Sequence, residues 1–307
     1  MSLETDLLLD RRRLKRRLVF WRSFSVLAIM AAAVAVLLDR GLAFSGDYVA
    51  RLSISGIITE DRKLIAALDD VADDPHAKAL VVSINSPGGS VAGGESLHHA
   101  IARFAKKKPV VAVMGGMAAS AGYMIAMPAE RVFAREATLT GSIGVLMETG
   151  EVSGLLSKLG ITAEAITSGP LKDQPSLTKP TSPAGREVLR SLVMDMYDQF
   201  VGMVAAGRKM DPDKVRELAD GRAYTGRQAL AVGLIDAIGG EPEARTWLAA
   251  EKGISADLPI ETITTVGLAE RAISGSLGQI VESIWKTLIS QSVRIDGGWA
   301  IWQRSGN

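Results

Sequence analysis

Three segments in the first half of the chain have the hydrophobic pattern of buried strands, and a helical pattern separates each from the next. The predicted strands are Asp47–Ile58, Ala79–Ile84 and Val110–Met114. The helical patterns, with apolar residues three and four positions apart, are Arg62–Val71 and Glu95–Phe104. The repeated order of strand, helix and strand predicts parallel β-α-β units, and therefore an α/β fold.

After these units the hydrophobic pattern predicts only short strands and an irregular arm, and then a long helix. Arg131–Ala134 and Ser142–Leu146 are predicted to be two more short strands, and Ser168–Pro175 is a turn-rich arm. Ser182 is a typical helix cap, and Pro183 fits the first helical position after it. The apolar stripe of the helix they begin consists of Val188, Leu189, Leu192, Val193, Met196, Phe200 and Val204.

Shorter helices follow in the last third of the chain. Asp211 and Thr225 are predicted to cap two of them. An amphipathic stripe between Leu277 and Leu288 predicts a further helix. That helix could lie on a membrane, although apolar residues at helical spacing more often pack onto protein.

The N-terminal region combines a basic cluster with an apolar segment. The cluster occupies residues 11–22, and the apolar run extends from Phe24 to Leu38. Counted from Leu18, with Arg22 reaching the interface, the run makes about 30 Å of helix, which matches the hydrocarbon core of a bilayer. Basic residues stay on the cytoplasmic side, so an uncleaved anchor would export the rest of the chain. A cleaved signal peptide, with the small residues Gly41 and Ala43 before the cut, is the alternative.

Composition limits the chemistry that the chain can perform. Its 35 basic and 34 acidic residues nearly balance, so charge gives no reason to expect a nucleic-acid partner. The chain has no cysteine and three histidines, and these provide no ligand cluster for zinc. None of the histidines is in a turn after a predicted strand, which disfavours a Ser-His-Asp triad. We therefore expect neither a metal nor a cofactor.

Ser120 is the first candidate for chemistry. It follows the Val110 strand, the break at Gly115 and Gly116, and two alanines, and it precedes a predicted buried helix that reaches Met127. A hydroxyl at such a strand-to-helix junction faces the crevice beyond the carboxyl end of the strand. The residue pattern alone leaves two interpretations open, a nucleophile and an ordinary helix cap.

Two other segments could complete a site around this serine. The predicted turn Pro87–Gly89 exposes backbone N–H groups that could stabilise an oxyanion, although the glycines could equally serve the turn alone. A lysine can replace histidine as the base if burial keeps it neutral. Lys172, in the turn-rich arm, differs from the other lysines in its weakly charged surroundings, with Asp173 expected to point away from it. By composition alone it could also be a solvated loop lysine.

Five motifs resemble those of a known family. They are S-I-N-S-P-G-G-S at 83–90, M-A-A-S-A-G-Y at 117–123, T-L-T-G-S-I-G-V at 138–145, S-G-P-L-K-D at 168–173 and D-G-R-A-Y-T-G-R-Q-A at 220–229. Their order and spacing resemble the short form of signal peptide peptidase A, a membrane-anchored bacterial serine protease, over roughly residues 48–245.

The resemblance implies a role for each matching residue. Ser120 would be the nucleophile and Lys172 the general base, while Ser142 would position that lysine. Gly88 or Gly89 would donate to the oxyanion. Ala121 stands where glycine is commoner in the family, and because only its backbone N–H is needed, we expect it to serve as an oxyanion donor as well.

The resemblance also implies an architecture and a location. It predicts a Clp-protease/crotonase-like fold of repeated β-α-β units, with an N-terminal transmembrane helix and a helical C-terminal part. The predicted domains are a basic stretch and anchor (1–45), a Ser-Lys peptidase domain (46–250) and an extension of unknown role (251–307). The chain would cross the bacterial inner membrane once, with its catalytic domain on the periplasmic side, and would assemble into a homo-oligomeric ring.

The implied activity is hydrolysis of cleaved signal peptides and other unfolded or membrane-released peptides, bound extended with small or apolar side chains at the cut. Two alternatives remain open at this stage. One is an enzyme acting on acyl-CoA on a crotonase-like scaffold, with the oxyanion site but no serine nucleophile. The other is a non-catalytic membrane scaffold, in which Ser120 is a cap and Lys172 a surface charge.

Overall fold

The computed structural model describes residues 15, 17–28 and 46–264. Residues 17–28 form an exposed helix, α1. Within the described residues, no helix combines the length and apolar character needed to cross a membrane. The predicted anchor from Leu18 to Leu38 and the C-terminal stripe from Leu277 to Leu288 lie partly or wholly outside those residues. A separate compact unit extends from Gly46 to Ile263.

This compact unit contains a sheet of eight strands among the described residues. The strands are β1 (Tyr48–Ile58), β2 (Ala77–Gly89), β3 (Val110–Ala119), β4 (Arg131–Ala134), β5 (Leu139–Gly141), β6 (Ala223–Thr225), β7 (Ala237–Ile238) and β8 (Ile260–Thr262). The helices are α2 (Arg62–Asp73), α3 (Val91–Ala105), α4 (Ala121–Met124), α5 (Ser153–Lys158), α6 (Pro183–Arg208), α7 (Pro212–Leu218), α8 (Gly226–Ala231) and α9 (Glu241–Lys252).

The sheet has the order β6-β5-β3-β2-β1-β8, and β4 and β7 extend it from β3. Its strand pairs are parallel except for β5 with β6, which confirms the predicted parallel β-α-β units and the α/β class. The first two strands alternate between two apolar faces. Leu80 and Val82 belong to the larger core, whereas Val81 packs in a smaller one with Leu248 of α9. The sheet is therefore covered by helices on both sides.

Gly115 and Gly116 do not end β3, contrary to the expectation from the sequence. Beside them the pairing with β2 shifts, from Ile84 opposite Met114 to Ser86 opposite Ala118. This irregularity bends the strand instead of ending it, as glycines in strands often allow. Before the bend β3 pairs with β4, and beyond it β3 pairs with β5. The last three residues of β3, directly before Ser120, are therefore held by β5 and not by β4.

Three further predictions near the site were wrong. The helix after Ser120 is a single turn, Ala121–Met124, and does not continue to Met127. The strand predicted at Ser142–Leu146 is instead β5, Leu139–Gly141, because these residues find partners in β3 and β6. The turn predicted at Pro87–Gly89 is instead the irregular end of β2.

The helix caps were predicted correctly. The Ser182 hydroxyl accepts a hydrogen bond of 3.0 Å from the Gly185 N–H at the start of α6, and Thr225 forms a reciprocal capping box with Gln228. Asp211 caps α7. The apolar stripe of α6 is buried only in its second half, where Phe200 and Val204 enter the core.

Candidate active site

Ser120 lies at the junction between β3 and α4 and has an unusual backbone conformation. Its φ is 54° and its ψ is −122°, and its side chain makes no capping hydrogen bond. A positive φ in a non-glycine residue costs about 1–3 kcal/mol, and such strain is concentrated at functional sites. A strained turn from strand to helix is also how α/β-hydrolases expose a nucleophilic serine. The cap interpretation of Ser120 therefore has no support in this geometry.

Gly88 and Gly89, at the end of β2, leave no room for a side chain. Gly88 has a φ of 112°, and a Cβ built on it would lie 2.8 Å from Cβ of Ser120 and 3.2 Å from the Ala121 nitrogen. A Cβ on Gly89 would lie 1.9 Å from the Ile58 carbonyl oxygen. Both positions therefore require glycine, and the backbone at Gly88 closely approaches both Ser120 and the start of α4.

Ser142 is brought to the same region by backbone hydrogen bonds. Its φ is also positive, at 49°. Its N–H donates to the Arg222 carbonyl at 2.9 Å, and the Arg222 backbone N–H in turn donates to the Asp220 carboxylate at 3.1 Å. In the described part of the chain, three non-glycine residues have positive φ, namely Ser120, Ser142 and the helix-ending Lys209. Two of these three are residues singled out from the sequence.

The Ser120 pocket has a volume of about 380 Å³. It is lined by Gly89, Val91, Ser120, Ser142, Gly144, Val145, Leu146 and Gly221. The structure thus brings together Ser120, Ser142 and Gly89 from three separate motifs. The other five lining residues were not predicted as site residues, namely Val91, Gly144, Val145, Leu146 and Gly221. Val91 directly follows the 83–90 motif, and Val145 ends the 138–145 motif, so their proximity to recognised motifs was an available signal.

Lys172 is not among the residues that line this pocket in the single chain. It is exposed on the arm, and its backbone N–H donates to the Gly169 carbonyl at 3.2 Å. Its neighbour Asp173 forms an ion pair with Lys179, with 2.6 Å between Oδ2 and Nζ, and this lysine holds the pKa of Asp173 below its ordinary value. Asp173 thus has a different lysine as its partner, as expected if it does not pair with Lys172.

The arm lies within a segment that adds little to the core of its own chain. Between Ile143 and Phe200, all within the described residues, no hydrophobic side chain is buried. Helix α5 has no buried residue. Large apolar side chains are instead exposed, among them Leu155, Leu159, Ile166, Leu171 and Leu177.

Comparison with known proteins gives the family. Residues 102–255, half of the chain, match the profile of peptidase family S49. The chain belongs to this family. The matched region includes Ser120, Ser142 and Lys172, and it ends shortly before β8.

Individual relatives agree with this assignment to family S49. A Synechocystis sp. protein named "Putative protease" is 37% identical over 234 residues, which cover 76% of this chain and 84% of the relative. The Enterococcus faecium "Putative signal peptide peptidase SppA" is 36% identical, over 71% of this chain and 67% of the relative. The Arabidopsis thaliana "Serine protease SPPA, chloroplastic" is 34% identical, over 79% of this chain but 35% of that longer protein.

The S49 assignment decides between the three functions that the sequence left open. The chain is a serine peptidase of the signal peptide peptidase A family. The acyl-CoA enzyme and the non-catalytic scaffold are therefore set aside.

Proposed function

We propose that this S49 peptidase is a membrane-anchored endopeptidase with a Ser-Lys dyad, in which Ser120 is the nucleophile and Lys172 the general base. The observation that carries the proposal is the strained backbone of Ser120, at a strand-to-helix junction that opens on a pocket. Ser120 Oγ attacks a peptide carbonyl and loses its proton to the neutral lysine. The lysine passes this proton to the amide nitrogen as the C–N bond breaks, so the amine product leaves and an acyl-enzyme remains. Water, deprotonated by the lysine, then attacks the acyl-enzyme and releases the acid product and Ser120.

The oxyanion of this reaction is stabilised by backbone N–H groups. Ala121 is the first residue of α4, so its N–H has no partner within the helix. The Gly88 N–H donates to Ser86 Oγ at 3.0 Å, whereas Gly89 lines the pocket. In this proposal the donors are Ala121 and Gly89. Gly88 contributes by letting the backbone pass close to Ser120.

Lys172 is supplied by a neighbouring protomer of a homo-oligomeric ring. Two observations support this step. The lysine does not line the pocket of its own chain, and the arm that carries it exposes apolar side chains that an interface would cover. Burial in that interface would also favour the neutral form that a lysine base needs. Ser142, in the pocket wall, would then position the incoming amine.

The remaining features of the proposal concern fold, substrate and location. The domains are an anchor in residues 1–45, a peptidase domain of Clp-protease/crotonase type in 46–250 and an extension in 251–307 that is partly helical. The substrates are cleaved signal peptides and other unfolded or membrane-released peptides. Small or apolar side chains at the cut are supported by the pocket residues Val91, Val145 and Leu146. The catalytic domain faces the periplasm, outside the bacterial inner membrane.

Labelling with a fluorophosphonate tests the nucleophile. The full-length chain in detergent is treated with the reagent, digested and analysed by mass spectrometry. We expect a covalent adduct on Ser120 and none on Ser142, the other pocket serine. Modification that persists in Ser120→Ala, at a different residue, would show that the nucleophile is misassigned.

A further inference from the structure

The Ser86 side chain is buried at the irregular end of β2, with none of its surface exposed. Its hydroxyl donates to the Gly56 carbonyl at 2.6 Å and accepts from the Gly88 N–H at 3.0 Å. The nitrogen of the intervening Pro87 carries no hydrogen and cannot pair with β1. The Ser86 hydroxyl therefore bonds the Gly56 carbonyl at the irregularity in β1, where the pairing with β2 shifts between Ser55 and Ile57.

This hydrogen bond determines the direction of the neighbouring backbone N–H groups. The Gly88 N–H points towards Ser86 Oγ on the β1 side, and the Ser90 N–H donates to the Ile58 carbonyl of β1 at 2.9 Å. Gly89, between these two hydrogen bonds, lines the Ser120 pocket. The bonds made by Gly88 and Ser90 therefore hold the Gly89 backbone in the pocket wall.

A second contact connects Ser86 to the nucleophile. A Cβ built on Gly122 in α4 would lie 3.0 Å from the Ser86 carbonyl oxygen, so the turn after Ser120 packs directly against this residue. Ser86 also pairs with Ala118 in the last part of β3. One buried residue thus contacts Gly56 in β1, Gly88 at the end of β2 and the helix that follows Ser120.

We propose that Ser86 is a positioning residue for the transition state of peptide hydrolysis. Its hydroxyl holds Gly88 so that the next N–H, that of Gly89, faces the oxyanion formed when Ser120 attacks. The inference rests on the proposed role of Ser120 as nucleophile. It adds to that role a buried hydroxyl that contacts neither substrate nor nucleophile but orients one of the two oxyanion donors.

Thr138 provides a matched control for the loss of a buried hydroxyl. It is also almost fully buried, donates to the Gly115 carbonyl at 2.6 Å and accepts from the Arg135 N–H at 3.0 Å. None of these three residues lines the Ser120 pocket. Thr138→Val therefore removes the same two kinds of hydrogen bond as Ser86→Ala, but at a position outside the pocket. It measures how much activity is lost when only the stability of the protein falls.

The test compares Ser86→Ala, Ser86→Cys and Thr138→Val in the full-length chain in detergent, with a fluorogenic peptide that has alanine at the cut. We expect kcat of Ser86→Ala to fall roughly 10-fold or more, since removing one oxyanion donor outright costs about 100- to 1,000-fold. KM should change by less than about 2-fold, because ground-state binding is not affected. Ser86→Cys, which keeps the volume and a weak donor, should lie between Ser86→Ala and the wild type.

Inhibitors separate positioning from a general structural role. A peptide aldehyde of the same sequence forms a tetrahedral adduct with the serine, whereas the product peptide binds without one. We expect the Ki of the aldehyde to rise in Ser86→Ala by about the factor lost in kcat, and the Ki of the product peptide to stay unchanged. Thr138→Val should change neither value.

Either of two results would overturn the proposal. One is that kcat of the Ser86 variants is no lower than kcat of Thr138→Val. The other is that Ser86→Ala loses affinity for the aldehyde and for the product peptide by the same factor. If Ser86→Ala does not fold, Ser86→Cys decides by the same comparison. Failure of the proposed function has a different signature. In that case the wild-type chain would not be labelled at Ser120, and Ser120→Ala would still hydrolyse the peptide.

Discussion

The backbone N–H of Ser120 donates a hydrogen bond of 2.9 Å to the carbonyl oxygen of Gly141. This hydrogen bond extends the pairing of β3 with β5 by one residue, to the junction between β3 and α4. Ser120, with its strained φ, is therefore held by Gly141, the last residue of β5. Gly141 directly precedes Ser142, whose own N–H donates to Arg222. The two serines are therefore held by one backbone network, and a shift of β5 would move both.

The proposed dyad predicts how single substitutions affect hydrolysis. Ser120→Ala and Lys172→Ala should each abolish it in a folded, assembled protein, because one removes the nucleophile and the other the base. Ser142→Ala should be milder, because it loosens the base without removing it. Lys63→Ala, at an exposed position of α2, serves as a control and should retain wild-type turnover of a fluorogenic peptide. Hydrolysis at the wild-type rate by Lys172→Ala would refute the base assignment.

The close approach of Gly88 to Ser120 predicts a steric effect on catalysis. Gly88→Ala should abolish activity, because its Cβ would lie 2.8 Å from Cβ of Ser120 at a φ of 112°. Gly202→Ala in α6 is the control, since a Cβ there meets nothing within 4 Å. Gly202→Ala should keep full activity and gain up to about 1 kcal/mol in unfolding free energy. An active Gly88→Ala would show that the backbone at Ser120 does not need this contact.

The ion pair between Arg208 and Asp236 predicts a large effect on stability. Two hydrogen bonds, of 2.7 and 2.8 Å, join the side chains, which are 9% exposed in Arg208 and 26% in Asp236. Asp236→Asn should lower the free energy of unfolding by about 1–3 kcal/mol, because it removes the charged partner of a largely buried cation that keeps its bond to the Gly233 carbonyl. The exposed pair of Asp213 with Arg216 is the control, and Asp213→Asn should leave the urea unfolding midpoint almost unchanged.

The same pair predicts the pH dependence of stability. Burial raises the pKa of Asp236, but the hydrogen bonds from Arg208 outweigh it, and the pKa is lowered overall. A carboxylate with a depressed folded-state pKa stabilises the protein above its unfolded pKa of about 4. This stability is lost as the pH falls through the folded-state value. The difference in unfolding free energy between the wild type and Asp236→Asn should therefore become smaller in acid. A difference that grows below pH 4 would contradict the prediction.

The shared active site predicts complementation between two inactive chains. If Ser120 and Lys172 of one site come from adjacent protomers, mixing Ser120→Ala with Lys172→Ala through dissociation and reassembly makes about a quarter of the interfaces intact. Activity should return towards that fraction of the wild type. Each variant reassembled alone is the control and should remain inactive. A mixed ring that assembles fully and shows no activity would mean that both residues act within one chain.

The proposed anchor predicts where the protein is found. The full chain should keep its N-terminus and stay with membranes through a carbonate wash, because its apolar segment would remain in the bilayer. A truncated chain that begins at Gly46, the first residue of the compact unit, should be soluble and active. Detection of a mature N-terminus at Phe44 by mass spectrometry would establish a cleaved signal peptide instead.

The sequence by itself determined what depends on neighbours along the chain. The β-α-β order, the caps at Ser182 and Thr225 and the junction at Ser120 all follow from local pattern, because periodicity and capping involve residues a few positions apart. The motifs were enough to predict the family, and the match to peptidase family S49 confirmed it. The roles of Ser120, Ser142 and Lys172 remain predictions.

Tertiary structure decided what depends on partners far apart in the sequence. β3 continues past Gly115 because it finds β5 beyond the bend, and β5 forms at Leu139–Gly141 because β3 and β6 lie on either side of it. Ser86 could be recognised only once its hydroxyl was seen between Gly56 and Gly88, which requires two strands to be placed side by side. Local pattern does not encode these contacts, because hydrogen bonds between strands depend on register and not on the composition of either strand alone.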